Sequence, residues 1–221
     1  MAEILKAEAL AGVPHGFSTK AGLSTEDVAP GGRLIRVKQV HSDNVVEAYD
    51  WAEPPEADAL VTDQPGLLLT IVTADCAPVL LVDRIAGVVG AAHAGWRGAL
   101  GGIIGKTVEA MTRMGADPAT IAATIGPTIA QDSYEVDDGF RKRFLADAPD
   151  NERFFESGRI GHYQFDLPAY VGHRLREAGV TDVNDLREDT YSQPERFFSY
   201  RRANHIGSEA TGRLFSAIAK P

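Results

Sequence analysis

Three apolar runs follow one another closely in the middle of the chain, and they constrain the fold more than any other feature of the sequence. The runs cover residues 67–72, 79–82 and 87–92, and Asp, Pro or Gly bounds them. Continuous apolar runs of this length are typical of strands that are buried on both faces of a sheet. The connections, residues 75–78 and 83–86, are too short for a parallel crossover, which needs about a dozen residues. The sequence therefore predicts three neighbouring antiparallel strands in a mixed sheet.

Helical patterns alternate with further strands in the rest of the chain. Apolar residues at helical spacing predict one helix over residues 99–114 and a second over residues 167–178, with Asp166 as N-cap of the second. Residues 121–125 predict another strand, and the aromatic residues of 197–202 predict a buried strand that leads to exposed arginines. Because strands and helices are interspersed and the links resemble hairpins, we expect an α+β fold of mixed β-sheets with flanking helices.

The length and the cysteine content limit the class of protein. The 221 residues contain no internal repeat and no convincing linker, so we expect a single domain over residues 1–221. No apolar stretch reaches the roughly 20 residues that a membrane-spanning helix needs, and the first residues lack a signal-peptide pattern. A single cysteine fits a reducing compartment, and we therefore expect a cytoplasmic protein.

The net charge narrows the choice of partner. A charge of −9 argues against a general nucleic-acid binder, since such proteins present a basic face to the phosphates. We expect a small-molecule substrate and neither a nucleic-acid nor a membrane partner, while the oligomeric state stays open. Five cationic side chains can still form a local positive pocket: Arg36, Lys38, Arg97, Arg201 and Arg202.

One thiol and two imidazoles occur where predicted strands end. Cys76, the only cysteine, and His93 each follow an apolar run, and His41 follows residues 34–40. Three converging protein ligands are the number expected of catalytic zinc, which keeps a fourth position for a water of pKa about 7. Each residue also has a simpler interpretation, because a free cysteine is often a small buried hydrophobe and a single histidine is usually a surface or satisfied core residue. The wide spacing does not match a zinc-finger motif.

A glycine-rich segment, residues 95–102, follows His93. Free backbone N–H groups at a helix start attract anions, so the segment is either an anion site that includes Arg97 or a tight turn that needs glycine for close packing. It matches neither the dinucleotide-binding nor the P-loop pattern. Asp75, next to the thiol, is either a general base, a residue that supports the metal ligands or an ordinary turn residue.

Four motifs in the same order resemble the YfiH/laccase-domain family, and the likeness extends from His15 to Arg213. The motifs are Lys38-Gln39-Val40-His41, Thr73-Ala74-Asp75-Cys76, His93-Ala94-Gly95-Trp96-Arg97-Gly98 and Pro194-Glu195-Arg196-Phe197-Phe198-Ser199-Tyr200-Arg201-Arg202. The resemblance implies a fold like the cysteine hydrolase domain of a bacterial cytotoxic necrotising factor. It also implies zinc, with copper as the alternative, held by His41, Cys76 and His93.

Two segments depart from the family pattern. Residues 22–32 replace a usually longer segment, which predicts a rebuilt or partly missing substrate pocket. The family's Cys-Cys-Tyr-Glu-Val stretch reads Asp-Ser-Tyr-Glu-Val at residues 132–136, so thiol chemistry is excluded there while Tyr134 and Glu135 remain.

The leading hypothesis is a zinc enzyme that cleaves purine nucleosides with phosphate. The resemblance implies adenosine, inosine and methylthioadenosine as substrates, with deamination of adenosine as a second activity. We expect Arg97, the N-terminus of the following helix and Arg201 or Arg202 to bind phosphate, because arginine offers bidentate geometry. We expect Asp75 or Glu135 to handle protons.

The sequence leaves two other functions open. In the first, Cys76 is the nucleophile and His93 the base of a hydrolase or amidase that acts on peptidoglycan precursors. The second is a copper polyphenol oxidase. We rank it last, because no methionine adjoins the ligands in sequence and six histidines are too few for a multicopper site.

Overall fold

The computed structural model describes residues 3–51, 53–209 and 212–221, which contain fourteen strands, six α-helices and four 3₁₀ segments. The strands are β1 (Ile4–Leu5), β2 (His15–Ser18), β3 (Arg33–Ile35), β4 (Val45–Glu47), β5 (Ala59–Thr62), β6 (Leu67–Thr73), β7 (Ala77–Asp83), β8 (Val88–Ala94), β9 (Ile121–Ile125), β10 (Glu135–Asp137), β11 (Phe155–Ser157), β12 (His162–Phe165), β13 (Asp182–Asp185) and β14 (Leu214–Ala219). The helices are α1 (Thr25–Val28), α2 (Trp96–Gly101), α3 (Ile103–Arg113), α4 (Asp138–Asp147), α5 (Leu167–Glu177) and α6 (Tyr200–His205). The 3₁₀ segments are Glu8–Leu10, Pro118–Thr120, Gln131–Ser133 and Pro149–Phe154.

The described strands form three sheets. A five-stranded sheet has the order β1-β2-β14-β6-β3, in which only β3 and β6 are parallel neighbours. A six-stranded sheet has the order β13-β9-β7-β8-β5-β4, and its two outermost pairs are parallel. The antiparallel strands β10, β12 and β11 form the smallest sheet. The predicted α+β class with mixed sheets is confirmed.

The two larger sheets pack against each other. Along β7, Leu80 shares a core with Leu69 of β6, whereas Leu81 belongs to a second core with Ile104 of α3 and Leu175 of α5. Successive side chains of a strand point to opposite faces, so the six-stranded sheet is covered on both sides. For this reason all seven residues of β7 are buried. That the chain forms one domain over residues 1–221 stays a prediction.

The predicted hairpin between the second and third apolar runs is confirmed. Strands β7 and β8 are antiparallel, and their register pairs Ala77 with Ala94 and Pro78 with His93. Cys76, which precedes β7, therefore lies beside the residues that follow β8. This register is the reason why a thiol and an imidazole 17 residues apart in the sequence become neighbours.

The predicted pairing of the first two apolar runs is wrong. Strand β6 lies in the five-stranded sheet and β7 in the six-stranded sheet, so the chain crosses between the sheets over residues 74–76. At this crossing Asp75 has a φ of 86°, which is uncommon for a residue other than glycine. Apolar runs do not distinguish a hairpin from a crossing between packed sheets, because both arrangements bury both strands.

Two other elements differ from the prediction. The helix predicted over residues 99–114 is divided into α2 and α3, because Gly102 has a φ of 98° and interrupts it. Residues 197–202 do not form a strand. Instead, the Ser199 side chain accepts a hydrogen bond from the N–H of Arg202 and caps α6. A polar side chain that satisfies a helix start outweighs the apolar pattern of the preceding residues.

The remaining elements agree with the sequence. The second predicted helix is α5, and the Asp166 side chain accepts a hydrogen bond from the N–H of Ala169 as its N-cap. The strand predicted over residues 121–125 is β9. Among the described residues, no helix combines the length and the apolar character needed to cross a membrane.

Replacement of Gly102 by alanine is expected to destabilise the fold by about 1 to 2 kcal/mol, because a Cβ disfavours its positive φ. Gly105 is the matched control, since it lies inside α3 without a positive φ, and a Cβ at either position meets no atom within 4 Å. Gly105→Ala is expected to stabilise the fold by about 0.5 to 1 kcal/mol. Urea unfolding measures both changes. Effects of the same sign would contradict the role of Gly102 as the helix break.

Candidate metal centre

Three side chains that are distant in the sequence converge at one end of the β7–β8 hairpin. The ligand atoms of His41, Cys76 and His93 all lie within 4.8 Å of one another. Cys76 Sγ is 3.9 Å from His41 Nε2, and the centroids of the two imidazole rings are 4.7 Å apart. The structure thus brings together the three residues that the sequence singled out.

A buried carboxylate organises this group. The side chain of Asp58 is fully buried, and its Oδ1 lies 2.7 Å from His93 Nδ1 and 3.0 Å from the backbone nitrogen of His41. Its Oδ2 accepts hydrogen bonds from the N–H of Val40 and from both the N–H and the hydroxyl of Ser42. Buried charges need such partners, because their removal from water is costly. One side chain therefore fixes both the His41 loop and the His93 ring.

The hydrogen bonds to Asp58 accompany an unusual backbone conformation at His41. Three successive N–H groups, those of residues 40–42, point to one carboxylate, an arrangement that resembles an anion-binding nest. His41 has a φ of 61°, and such strained conformations cluster at functional sites. The side-chain amide of Gln39 holds the same loop to β6, since it donates to the carbonyl of Val72 and accepts from its N–H, both at 2.8 Å. The loop is therefore held on both sides of His41.

Two glycines make room for the ligands. A Cβ on Gly95 would lie 2.9 Å from Cys76 Sγ and 3.1 Å from His41 Cδ2, and a Cβ on Gly98 would lie 2.9 Å from the carbonyl oxygen of Ser42. Neither glycine has a positive φ, so space and not backbone conformation excludes a side chain there. These two glycines therefore serve close packing, which is one of the two interpretations that the sequence allowed.

The ionisation of the three groups is coupled. Burial raises the pKa of Cys76, but hydrogen bonds and positive charge from His41 and His93 outweigh it and bring this pKa to about 7. Burial lowers the pKa of His93, but hydrogen bonds to Asp58 and Cys76 raise it to about 9. Burial also raises the pKa of Asp58, while hydrogen bonds from His93 and Ser42 bring it down to about 2. Between about pH 7 and pH 9 the metal-free group therefore favours a thiolate beside an imidazolium.

The donor set fits a tetrahedral metal ion. Because His93 Nδ1 is bonded to Asp58, its Nε2 is the nitrogen left for a metal, as in carboxylate–histidine–metal sites. A zinc ion with bonds of about 2.0 to 2.3 Å places its ligand atoms about 3.5 Å apart, so the three side chains need to move little. In the described ranges the group contains no fourth protein ligand, which is the pattern of a catalytic and not a structural site.

The group lies in a cavity of about 710 Å³, a volume within the range of small-molecule sites. Both histidines and the cysteine line this cavity together with Tyr200 and three arginines, Arg36, Arg97 and Arg213. No aspartate or glutamate of the described residues lines it. The cavity is therefore positively charged, although the whole chain carries a net charge of −9.

The five cationic residues predicted to form a positive pocket have different positions. Arg36 and Arg97 line the cavity. Lys38 forms an ion pair with a glutamate. Arg201 and Arg202 donate hydrogen bonds to backbone carbonyl groups. The predicted pocket is therefore reduced to two of its five members, to which the structure adds Arg213.

Asp75 adjoins the thiol in sequence, but its carboxylate has structural partners. One oxygen accepts a hydrogen bond from the hydroxyl of Thr190 at 2.6 Å, and the other accepts from the hydroxyl of Ser199 and the N–H of Arg201. Asp75 is buried and is not a lining residue of the cavity. It connects the crossing between the two sheets to the start of α6.

Glu135 is also outside the lining of the cavity. Its carboxylate forms an ion pair with Arg159 at 2.9 Å, and its backbone carbonyl accepts a hydrogen bond from Arg201. Burial raises the pKa of the neighbouring Tyr134, and the negative charge of Cys76 adds to this effect. Tyr134 is therefore a neutral hydroxyl at physiological pH.

A model of the family described as multi-copper polyphenol oxidoreductase laccase matches residues 21–220. The chain belongs to this family. Among solved structures, the hypothetical protein YfiH of Bacillus licheniformis superposes on this laccase-family chain with a TM-score of 0.88 and 27% identity, covering 100% of this chain and 97% of the other. Neisseria meningitidis protein NMB0706 gives a TM-score of 0.86 with 30% identity, covering 99% and 98%. The resemblance found in the sequence is confirmed.

Curated relatives of this laccase-family chain carry an enzyme name. The purine nucleoside phosphorylase of Rickettsia prowazekii is 43% identical over 187 residues, which cover 84% of this chain and 77% of the relative. The purine nucleoside phosphorylase of Deinococcus radiodurans is 38% identical over an aligned length of 249 residues. This alignment covers 99% of this chain and 93% of the relative.

Asp58 is the residue of the site that sequence reasoning misses. The available signal is a lone carboxylate between Ala57 and Ala59, at the start of an apolar strand. Acidic residues are almost never fully buried without a partner, so an acid in this position indicates a buried partner. The identity of that partner, His93, depends on strand pairing and is visible only in the structure.

Replacement of Asp58 by asparagine is expected to weaken zinc binding about 10- to 100-fold, because His93 loses the charged partner that orients its ring. Asp83→Asn is the matched control. Asp83 is also buried and accepts N–H groups, but its partners, Ile85, Ala86 and Asp117, are not metal ligands. Competition with a chromophoric chelator measures both affinities. An equal loss in the two variants would contradict the role of Asp58.

Zinc affinity is expected to fall as the pH falls, and more steeply below about pH 7. Metal binding requires a thiolate and a neutral imidazole. Between the pKa of Cys76, about 7, and that of His93, about 9, binding displaces about one proton, from His93. Below pH 7 it displaces about two, since Cys76 is then also protonated. Calorimetry in buffers of different ionisation enthalpy counts these protons, and an affinity independent of pH would contradict the ligand set.

Proposed function

We propose that the protein is a metal-dependent transferase that cleaves purine nucleosides with phosphate. The observation that carries the proposal is the three-ligand group of His41, Cys76 and His93 in a cavity that arginines line and to which the described part of the chain contributes no carboxylate. A cavity of this charge suits an anionic co-substrate such as phosphate. The names of the relatives from Rickettsia prowazekii and Deinococcus radiodurans support the same reaction.

Zinc is the metal that we propose for His41, Cys76 and His93. A thiolate with two imidazoles suits zinc, and copper is the alternative metal for the same donors. Zinc supplies Lewis acidity and lowers the pKa of water when it is bound in such a site. The chain itself contributes the orientation of the ligands through Asp58 and the charge of the cavity wall.

Arg97 is the proposed phosphate ligand. Its guanidinium lies 4.5 Å from the centroid of the Trp96 ring, and no carboxylate of the described residues forms an ion pair with it. In phosphorolysis a phosphate oxygen bonds to C1′ of the ribose, the C1′–N9 bond breaks, and the base leaves with a proton. A fixed guanidinium holds the attacking dianion in two parallel hydrogen bonds and offsets its charge.

We propose adenosine, inosine and methylthioadenosine as substrates, with deamination of adenosine as a second reaction of the same cavity.

Asp75 and Glu135 have roles that remain proposals. Proton transfer by either residue stays a prediction. The contacts of Asp75 support a positioning role, since it ties the chain beside Cys76 to the residues around Arg201. Glu135 contributes to the same region through its carbonyl.

We also propose a cytoplasmic enzyme without nucleic-acid or membrane partners. A lone thiol ligand suits a reducing compartment.

A second function is favoured by one specific observation. Cys76 lies within 4.8 Å of His93, and His93 Nδ1 lies 2.7 Å from Asp58, which is the order nucleophile, base and orienting carboxylate of a thiol hydrolase triad. The pKa of Cys76, about 7, favours a reactive thiolate when no metal is bound. A hydrolase or amidase acting on peptidoglycan precursors is therefore the alternative function. In the hydrolase His41 supports the thiolate through its contact with Cys76 and is not a member of the triad, whereas in the metal site it is a ligand.

Zinc-loaded protein is expected to convert inosine to hypoxanthine and ribose 1-phosphate only when phosphate is present. Arg97→Gln is expected to raise KM for phosphate about 10- to 100-fold, the effect of losing a charge-assisted hydrogen bond. Arg113→Gln, on α3, makes the same charge change outside the cavity and serves as the control. Separation of products by chromatography checks the reaction. Absence of turnover of inosine and adenosine in zinc-loaded protein would reject the proposal.

Replacement of His41 by alanine distinguishes the two functions. If the group binds a metal, His41→Ala is expected to lower zinc affinity by at least about tenfold and to abolish phosphorolysis. If Cys76 is a nucleophile, the variant keeps the thiol, its base and the orienting carboxylate, and it retains part of its activity on amide substrates, with a raised pKa of Cys76 because the His41 contact is lost. Retained zinc affinity and retained amide hydrolysis in this variant would support the hydrolase.

A further inference from the structure

One aromatic side chain on the cavity wall has no partner in the protein. Tyr200 lines the cavity and is 56% exposed, and no ring contact, cation–π contact or side-chain hydrogen bond joins it to another described residue. The ring of Trp96, by comparison, packs against Phe140 and beside the guanidinium of Arg97. Single exposed aromatics are common on protein surfaces, so exposure alone does not indicate a site. The place of Tyr200 in the fold decides whether its ring is available to a ligand.

The backbone at Tyr200 is held on both sides by one buried carboxylate. Oδ2 of Asp75 accepts a hydrogen bond from the hydroxyl of Ser199 at 3.0 Å and another from the N–H of Arg201 at 2.6 Å. Asp75 is 8% exposed and directly precedes Cys76 in the sequence. The same side chain therefore fixes the residues before and after Tyr200 beside the metal ligands, and Tyr200 has a defined position at the cavity.

The cavity wall is partly apolar. Val72 of β6 and Ala74 line the cavity, and Ala74 directly precedes the Asp75 that holds the residues around Tyr200. Val37 lines it as well and follows β3, which is the parallel neighbour of β6. The cavity therefore offers an apolar and aromatic surface in addition to its cationic groups, as is usual for sites that bind small molecules.

An aromatic ring suits the part of the proposed substrate that arginines do not bind by charge. A purine base is planar and uncharged at neutral pH, and aromatic side chains stack on the faces of such bases. Because every base has a π-face, stacking does not distinguish the edge of adenine from that of hypoxanthine. It therefore agrees with adenosine, inosine and methylthioadenosine as substrates of one cavity.

We propose that Tyr200 stacks on the purine base and is the specificity-determining residue for the base. This inference rests on the proposed phosphorolysis and specifies how its nucleoside is held. Removal of the ring takes away a contact with the base, whereas the groups that bind ribose and phosphate stay in place. Tyr200 is therefore expected to affect the affinity for the nucleoside and not the affinity for phosphate.

Binding of inosine and of ribose 1-phosphate to the zinc-loaded protein tests the proposal independently of turnover, because ribose 1-phosphate has the sugar and a phosphate but no base. Tyr200→Ala is expected to raise the dissociation constant of inosine about 5- to 100-fold and to leave that of ribose 1-phosphate unchanged. Tyr200→Phe keeps the ring and is expected to bind inosine within about threefold of the parent. Calorimetry in a buffer free of phosphate measures these constants, and the KM values for inosine and phosphate provide a second readout.

Tyr49→Ala is the matched control, because Tyr49 is 58% exposed and does not line the cavity. It is expected to leave the affinity for inosine unchanged. Urea unfolding verifies that the variants keep their fold, and Tyr200→Leu, which keeps an apolar side chain without a π-face, replaces Tyr200→Ala if that variant does not fold. An equal loss of inosine affinity in the Tyr49 and Tyr200 variants would overturn the inference, and so would an equal loss in Tyr200→Phe and Tyr200→Ala.

The outcomes separate this inference from the proposed function. Phosphorolysis of inosine with the same KM in the parent and in Tyr200→Ala would overturn the stacking role and leave the proposed function intact. Binding of inosine that depends on the Tyr200 ring, without cleavage of inosine or adenosine, would reject the proposed phosphorolysis while supporting the base site. Absence of inosine binding to the zinc-loaded parent would overturn both.

Discussion

The buried carboxylate of Asp58 is the interaction on which the rest of the site depends. It accepts N–H groups from three successive residues of the His41 loop and also binds the His93 ring. A buried carboxylate without partners costs several kcal/mol, so the hydrogen bonds from the closed loop stabilise the folded chain. Asp58 precedes β5, which pairs with β8, and formation of the six-stranded sheet thereby places it beside His93. The pairing of β5 with β8 therefore brings His93 and, through Asp58, the His41 loop together.

The arrangement of Cys76, His93 and Asp58 suits two kinds of chemistry, and His41 distinguishes them. A thiolate bound to a metal is a ligand and not a free nucleophile, so the two functions compete for one sulfur atom. In a hydrolase His41 only supports the thiolate and is not a member of the triad, yet the backbone there is held at a positive φ with the ring 3.9 Å from the sulfur. Strain of this kind costs about 1 to 3 kcal/mol and persists where the surroundings enforce it. A metal ligand needs a fixed ring position, so the metal function accounts for the strained backbone at His41 better than the hydrolase does.

Local features of the sequence predict local features of the structure. The short connection after β7 correctly indicated its hairpin with β8, because a connection of four residues is too short for a parallel crossover. The pairing of β6 with β7 was wrong, because burial on both faces does not reveal which sheet a strand joins. Gly102 lies within a helical apolar pattern, and only its backbone conformation shows that the helix ends there. The side chain of Ser199 similarly overrides the aromatic pattern before α6.

The ligand residues were identifiable by their chemical type and by family resemblance, but their convergence was not derivable from spacing. The partner of His93 was hidden for the same reason, since a buried acid is defined by tertiary contacts that the sequence does not state. The proposed centre is one metal ion bound by one sulfur and two imidazoles. X-ray absorption at the zinc edge of the zinc-loaded protein tests this most directly. We predict one sulfur at about 2.3 Å and nitrogen or oxygen ligands at about 2.0 to 2.1 Å. A coordination shell without sulfur would contradict the account.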